Sequence, residues 1–116
     1  MTIGETRVRF RDLKPYFTVD SLEDLQGPAH GVFELPVSVF WSGDPRFDLD
    51  VPGVRDYFYQ SVLSNGSTEH ISQYLNPELL LEVWPTLPLD QRVVELWHAQ
   101  HPHLAALRGA DGRPRG

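Results

Sequence analysis

The chain has 116 residues, a formal net charge of −6 at pH 7 and no cysteine. That length fits one domain burying roughly two-thirds of its unfolded surface, and the missing thiols exclude disulfides, cysteine nucleophiles and cysteine-ligated zinc or iron–sulfur centres. No run approaches the ~20 apolar residues of a membrane span, and the opening Met1-Thr2-Ile3-Gly4-Glu5-Thr6-Arg7 lacks an apolar signal core, so a soluble, cytoplasmic protein without a membrane partner is expected.

In chain order, Thr6 to Asp12 alternates Arg7, Arg9 and Arg11 with Val8 and Phe10. This predicts a short strand at 6–11 with an arginine face and an apolar face. Beside a strand carrying Asp48 and Asp50 the arginines would be ordinary cross-strand partners; as a stripe they would suit phosphate oxygens and a nucleic acid. Asp20 with Glu23 three residues later has the pattern of a capping box, Leu22 and Leu25 share a face, and Gly27-Pro28 stops the turn.

Residues 32–51 organise the rest. Phe33, Leu35, Val37, Val39 and Trp41 are apolar at every odd position, Ser42-Gly43-Asp44-Pro45 supplies turn chemistry, and Phe47, Leu49 and Val51 resume the odd set. Period two on both sides of a turn predicts a β-hairpin of 32–41 and 46–51 with one buried face. Pro36 cannot donate to a ladder, so the first strand must be an edge or carry a bulge there. A hairpin cannot bury its face alone. The cover is expected from a 53–64 helix bearing Val54, Tyr57, Phe58, Val62 and Leu63 and ended by Asn65-Gly66.

The remainder reads as short, punctuated helices. Ser67 or Thr68 caps one carrying Ile71, Tyr74 and Leu75; Asn76-Pro77 opens the next, through Trp84; Pro88 suits the first position of a third, through Gln100, closed by Pro102. His103 to Leu107 adds a last turn, and 108–116 has the composition of a flexible tail after a single domain of 1–107. The fold class expected is α+β: a small three-stranded antiparallel sheet covered by an amphipathic helix and a C-terminal group of short helices.

Three clusters are candidates for chemistry. His98 and His101 at i and i+3, with His103 beyond Pro102, could chelate a metal in a metal-dependent enzyme, although histidines near a helix C-terminus also serve its last carbonyls. Trp84, Leu87, Leu89 and Trp97 in a proline-broken stretch form either a partner-binding knob or simply the core. Arg7, Arg9 and Arg11 are the candidate nucleic-acid contacts. The C-terminal helices themselves are unsuited to a DNA groove, because between Ser67 and Leu107 the one cation among Lys and Arg is Arg92, against Glu69, Glu78, Glu82, Asp90 and Glu95. No nucleophile elbow, phosphate-cradling loop or dinucleotide fingerprint occurs, so no catalytic residue and no cofactor is assigned, and enzyme status is disfavoured.

Charge points toward a partner. Residues 15–107 hold 13 acids against Arg46, Arg55 and Arg92, while both ends are basic. An acidic body repels nucleic acid and favours a basic protein, though it also simply keeps a protein soluble.

Arg9-Phe10-Arg11-Asp12-Leu13 with Tyr16-Phe17, the Trp41-Ser42-Gly43 turn, and the run from Leu81 to Pro102 with its paired tryptophans resemble a group of small uncharacterised actinobacterial proteins. The arginine-over-lysine bias, nine of ten basic residues, fits a high-GC bacterial source. The resemblance implies a bacterial cytoplasmic accessory protein of mobile or defence-type gene clusters and carries over no catalytic residue. The expectation is therefore a non-enzymatic binding or regulatory protein acting through protein–protein contacts, an antitoxin-like or accessory factor.

Overall fold

A computed structural model describes residues 15–108. The expected strand at 6–11, with Arg7, Arg9 and Arg11, lies outside the described residues, as do 109–116. Within them the fold is α+β: a two-stranded antiparallel sheet, β1 (Val32–Glu34) and β2 (Arg46–Asp48), followed by helices α1 (Pro52–Asn65), α2 (Thr68–Tyr74), α3 (Pro77–Val83) and α4 (Gln91–Gln100), with 3-10 turns at Leu22–Asp24 and Pro102–Leu107. None of the described helices is long and apolar enough to cross a membrane.

The hairpin forms where the alternation predicts it, but it is shorter. Val32 faces Asp48, Phe33 faces Phe47 and Glu34 faces Arg46. One further bond, from Leu35 N–H to the Pro45 carbonyl at 3.0 Å, closes the ladder. Pro36 then ends it, and its carbonyl instead accepts Val39 N–H at 2.9 Å and Phe40 N–H at 3.0 Å. The chain has changed from a pleat to a helical turn. In such a turn i and i+4 share a side and i+2 does not, which is why Leu35 and Val39 are buried while Val37 is 76 % exposed. The expectation that all odd-numbered side chains point inward is thus corrected: Leu35, Val39, Phe47 and Leu49 are in the core, whereas Phe33, Val37, Trp41 and Val51 are exposed. Gly31 enters β1 at φ +98°, where a side chain would be strained, and its carbonyl accepts Leu49 N–H.

Helix α1 starts with proline at its first turn and ends at Gly66, whose N–H bonds the Val62 carbonyl. Its Phe58, Tyr59, Val62 and Leu63 are fully buried, and Phe58 packs edge-on against Phe47 of β2. The cover for the hairpin's inner face is therefore the helix that the aromatic spacing indicates.

The short helices are held by their caps. Ser67 Oγ accepts His70 N–H, and His70 Nδ1 returns to Ser67 N–H at 3.1 Å. Asn76 Oδ1 accepts from Glu78 N–H at 3.0 Å and Leu79 N–H at 3.1 Å. The last helix begins at Gln91 rather than Pro88, because the Asp90 carboxylate takes Arg92 N–H at 2.8 Å. The early turn is likewise shifted by one residue from the Asp20/Glu23 box: Ser21 Oγ caps Glu23 N–H while Asp24 reaches back to Ser21 N–H. Asp and Ser are both good caps, so adjacent candidates are hard to separate in sequence.

One contiguous core joins these parts. Leu35, Val39, Phe47 and Leu49 of the hairpin region meet Phe58, Val62 and Leu63, and the C-terminal helices add Leu80, Trp84, Leu87, Val93, Trp97 and Leu104. Gly27 seals the back of α2: its N–H bonds the Leu75 carbonyl, and a Cβ there would collide with the Tyr74 carbonyl group.

Candidate functional site

Of the histidines expected to share a metal, His101 and His103 have ring centres 6.4 Å apart, while the His98 ring packs edge-on against Trp84 at 5.6 Å. Helix α4 stops at Gln100 and His101 is its C-cap, with φ −131° and ψ 78°. His98 Nε2 accepts a hydrogen bond from buried Trp84 Nε1 at 3.1 Å, and His101 Nε2 lies 3.2 Å from Thr18 Oγ1, while His103 is exposed. Among the described residues no group of three or more His, Asp or Glu side chains is arranged to hold a metal ion. Burial holds both the His98 and the His101 imidazoles below the ordinary histidine pKa, helped for His98 by the positive charge of Arg108. His101 is buried and His98 is half-buried beside the two core tryptophans.

Trp84, Leu87 and Trp97 are also interior, and Leu89 is half-buried against the core. Arg108, expected to begin a tail, is 2 % exposed: its Nη1 donates to the Trp84 carbonyl at 2.7 Å and the Leu87 carbonyl at 3.0 Å, and its guanidinium sits 5.4 Å over the Trp84 ring. The proline-broken stretch is thus clamped from inside. A partner cannot reach these tryptophans while the domain is closed.

The surface aromatic cluster lies elsewhere, between the hairpin connector and α1. Val39, Phe40, Trp41 and Ser42 form one wall of a cleft of about 230 Å³; Tyr57, Gln60, Ser61, Ser64 and Asn65 of α1 form the other. Asn65 Nδ2 pins the walls together by donating to the Val39 carbonyl at 3.1 Å. Phe40, which lines the cleft, stands edge-on to both Phe47 and Tyr57 at ring separations of 5.1 and 5.5 Å. Trp41 and Tyr57 are 67 % and 48 % exposed.

No carboxylate, imidazole or cation lines this cleft. It therefore offers stacking faces and neutral hydrogen-bonding groups, with no general acid or base that works near neutral pH. A second cleft, of about 390 Å³, is the opposite in character, with Asp20, Asp24 and Glu69 among its walls. Three of its polar side chains are already used: Asp24 caps the first 3-10 turn, Thr18 Oγ1 lies against His101 Nε2, and Thr68 Oγ1 donates to the Thr18 carbonyl.

Sequence reasoning placed Trp41 inward and overlooked Gln60, Ser61 and Ser64. The available signal was the polar stripe at 60, 61 and 64 on a helix whose neighbouring positions are apolar. No protein-family model matches the chain, and neither the curated proteins nor the solved structures hold a match.

Proposed function

We propose that this is a non-enzymatic binding protein, an accessory or antitoxin-like factor of a bacterial gene cluster, which docks another protein against the Trp41 cleft. The observation that carries the reading is Trp41, 67 % exposed at the mouth of a cleft without charge. An indole in water forgoes the burial of a large apolar surface, and tryptophan and tyrosine at the centre of contacts dominate interface energetics. The partner is expected to be basic around its contact residue. Residues 15–108 carry 13 acids against four arginines, which speeds encounter with a cationic protein and disfavours nucleic acid.

The test is affinity capture from the native host with the full chain as bait. A stoichiometric protein should be retained by the wild type and by Leu81→Ala, an exposed apolar side chain away from the cleft, and lost with Trp41→Ala. Recovery of no stoichiometric protein, or of one indifferent to Trp41, would overturn the proposal.

A further inference from the structure

We infer that the Trp41 cleft takes a proline-rich peptide segment of its partner in the polyproline II conformation, an inference that rests on the cleft being a protein contact site. The first argument is the hydrogen-bonding inventory. Ser61 is 5 % exposed and lines the cleft, and among the described residues neither its hydroxyl nor the Gln60 and Ser64 side chains have a hydrogen-bond partner. The Ser61 hydroxyl is not among the buried polar atoms left without a partner, so it faces the open cleft and is available to a ligand that brings acceptors. A polyproline II segment makes no internal hydrogen bonds, so its carbonyls are free to accept from such donors.

The second argument is shape. From Tyr57 to Ser64 along α1 the wall runs about 10 Å at 1.5 Å per residue, which three to four residues of polyproline II span at about 3.1 Å each. An α-helix would enter the cleft only with single anchor side chains, leaving its backbone carbonyls committed to its own hydrogen bonds and unable to accept from the wall. An added β-strand needs an open strand edge, and the walls here are a helix and an irregular connector whose Val39 carbonyl is already taken by Asn65. Proline rings are compact and apolar, and they suit the exposed faces of Trp41 and Tyr57.

The third argument is charge and entropy. The uncharged lining gives no counterion to a phosphate, a carboxylate or an ammonium group placed in the cleft. A segment already rigid before binding pays less for being ordered, so a small cleft can hold it. The net negative charge of residues 15–108 would favour encounter with a segment whose prolines are flanked by arginines.

The experiment is a titration of the full chain, ¹⁵N-labelled, with a proline-rich decapeptide carrying an arginine at each end. Its control is the same peptide with alanine for every proline. The proline peptide should shift the amides of 39–42 and 57–65 and the Trp41 indole, and should bind at least about tenfold more tightly than the control. Trp41→Ala should lose the binding by a similar factor with the Trp84 and Trp97 indole signals unchanged, which shows the fold intact. Ser61→Ala should weaken it severalfold through an unaltered fold. Equal binding of both peptides, no shift at the cleft, or preferential binding of a neutral oligosaccharide would overturn the inference. Should the host partner need Trp41 yet contact it through a segment without prolines, this inference falls and the protein-contact reading stands; should neither peptide nor host protein bind, both fall.

Discussion

Trp84 and Trp97 are both fully buried, with ring centres 6.0 Å apart, yet their indole N–H groups fare differently. Trp84 Nε1 donates to His98 Nε2, whereas Trp97 Nε1 has no partner among the described residues. His98 is therefore a structural acceptor, which requires its Nε2 to be unprotonated. Protonating the ring would replace an acceptor by a donor facing a donor. Because burial lowers the His98 and His101 pKa values, the unfolded chain binds more protons than the folded one at pH values below its histidine pKa of about 6.5. Stability is then full above that value and declines as pH falls through and below it, toward the lower folded-state pKa values. The expected outcome is a melting temperature flat from pH 8 to 7 and falling between pH 6.5 and 5.5, a window in which unperturbed carboxylates stay ionised. His98→Ala should cost about 1–3 kcal/mol in denaturant unfolding by leaving the Trp84 N–H unsatisfied, and should reduce that pH slope; an unchanged slope would show that His98 is not a titrating acceptor.

At the scale of elements, what was legible was the punctuation. Asn76-Pro77, Ser67 and Asn65-Gly66 mark helix ends within a residue, because capping chemistry is local and does not depend on the rest of the fold. The extent of β1 was not legible, since period two continues to Trp41 and the proline's replacement of ladder bonds by a turn is decided by the carbonyl of Pro36 finding Val39 and Phe40. The start of α4 was obscured for a related reason: Pro88 and Asp90 both fit a helix start, and the carboxylate cap prevails. Asn76 combines local and tertiary roles. Its Oδ1 accepts two helix N–H groups while its Nδ2 donates to the Gly27 carbonyl at 3.2 Å, tying α3 to the segment docked on α2. Asn76→Ala should destabilise by about 1–2 kcal/mol, and Asn76→Asp, which keeps the cap and loses the donor, by less. Amide exchange at Gln26 and Gly27 should quicken in both variants; if only the α3 amides respond, the tie to Gly27 carries no energy.

For the whole molecule, the sequence marks which residues are aromatic but not which of the three tryptophans is solvated, because that depends on two distant segments meeting. Trp41 follows a connector that α1 holds through Asn65 and Val39, and the cleft exists only once both are in place. The C-terminal tryptophans, by contrast, sit on short helices that must share a core to be stable at all. This division predicts a measurable asymmetry in fluorescence. With Trp84 and Trp97 at 0 % exposure and Trp41 at 67 %, acrylamide should quench a single accessible fraction, and Trp41→Phe should leave a blue-shifted emission that is nearly unquenchable. Charge adds a second signature, since the acidic body concentrates cations and excludes anions near its surface. Caesium should therefore quench Trp41 more effectively, relative to its efficiency on free indole, than iodide does, and moderate salt should erase the difference as the Debye length shrinks below about 10 Å. Substantial quenching remaining in Trp41→Phe would mean that the helical half is open and that its tryptophans, rather than Trp41, meet the solvent.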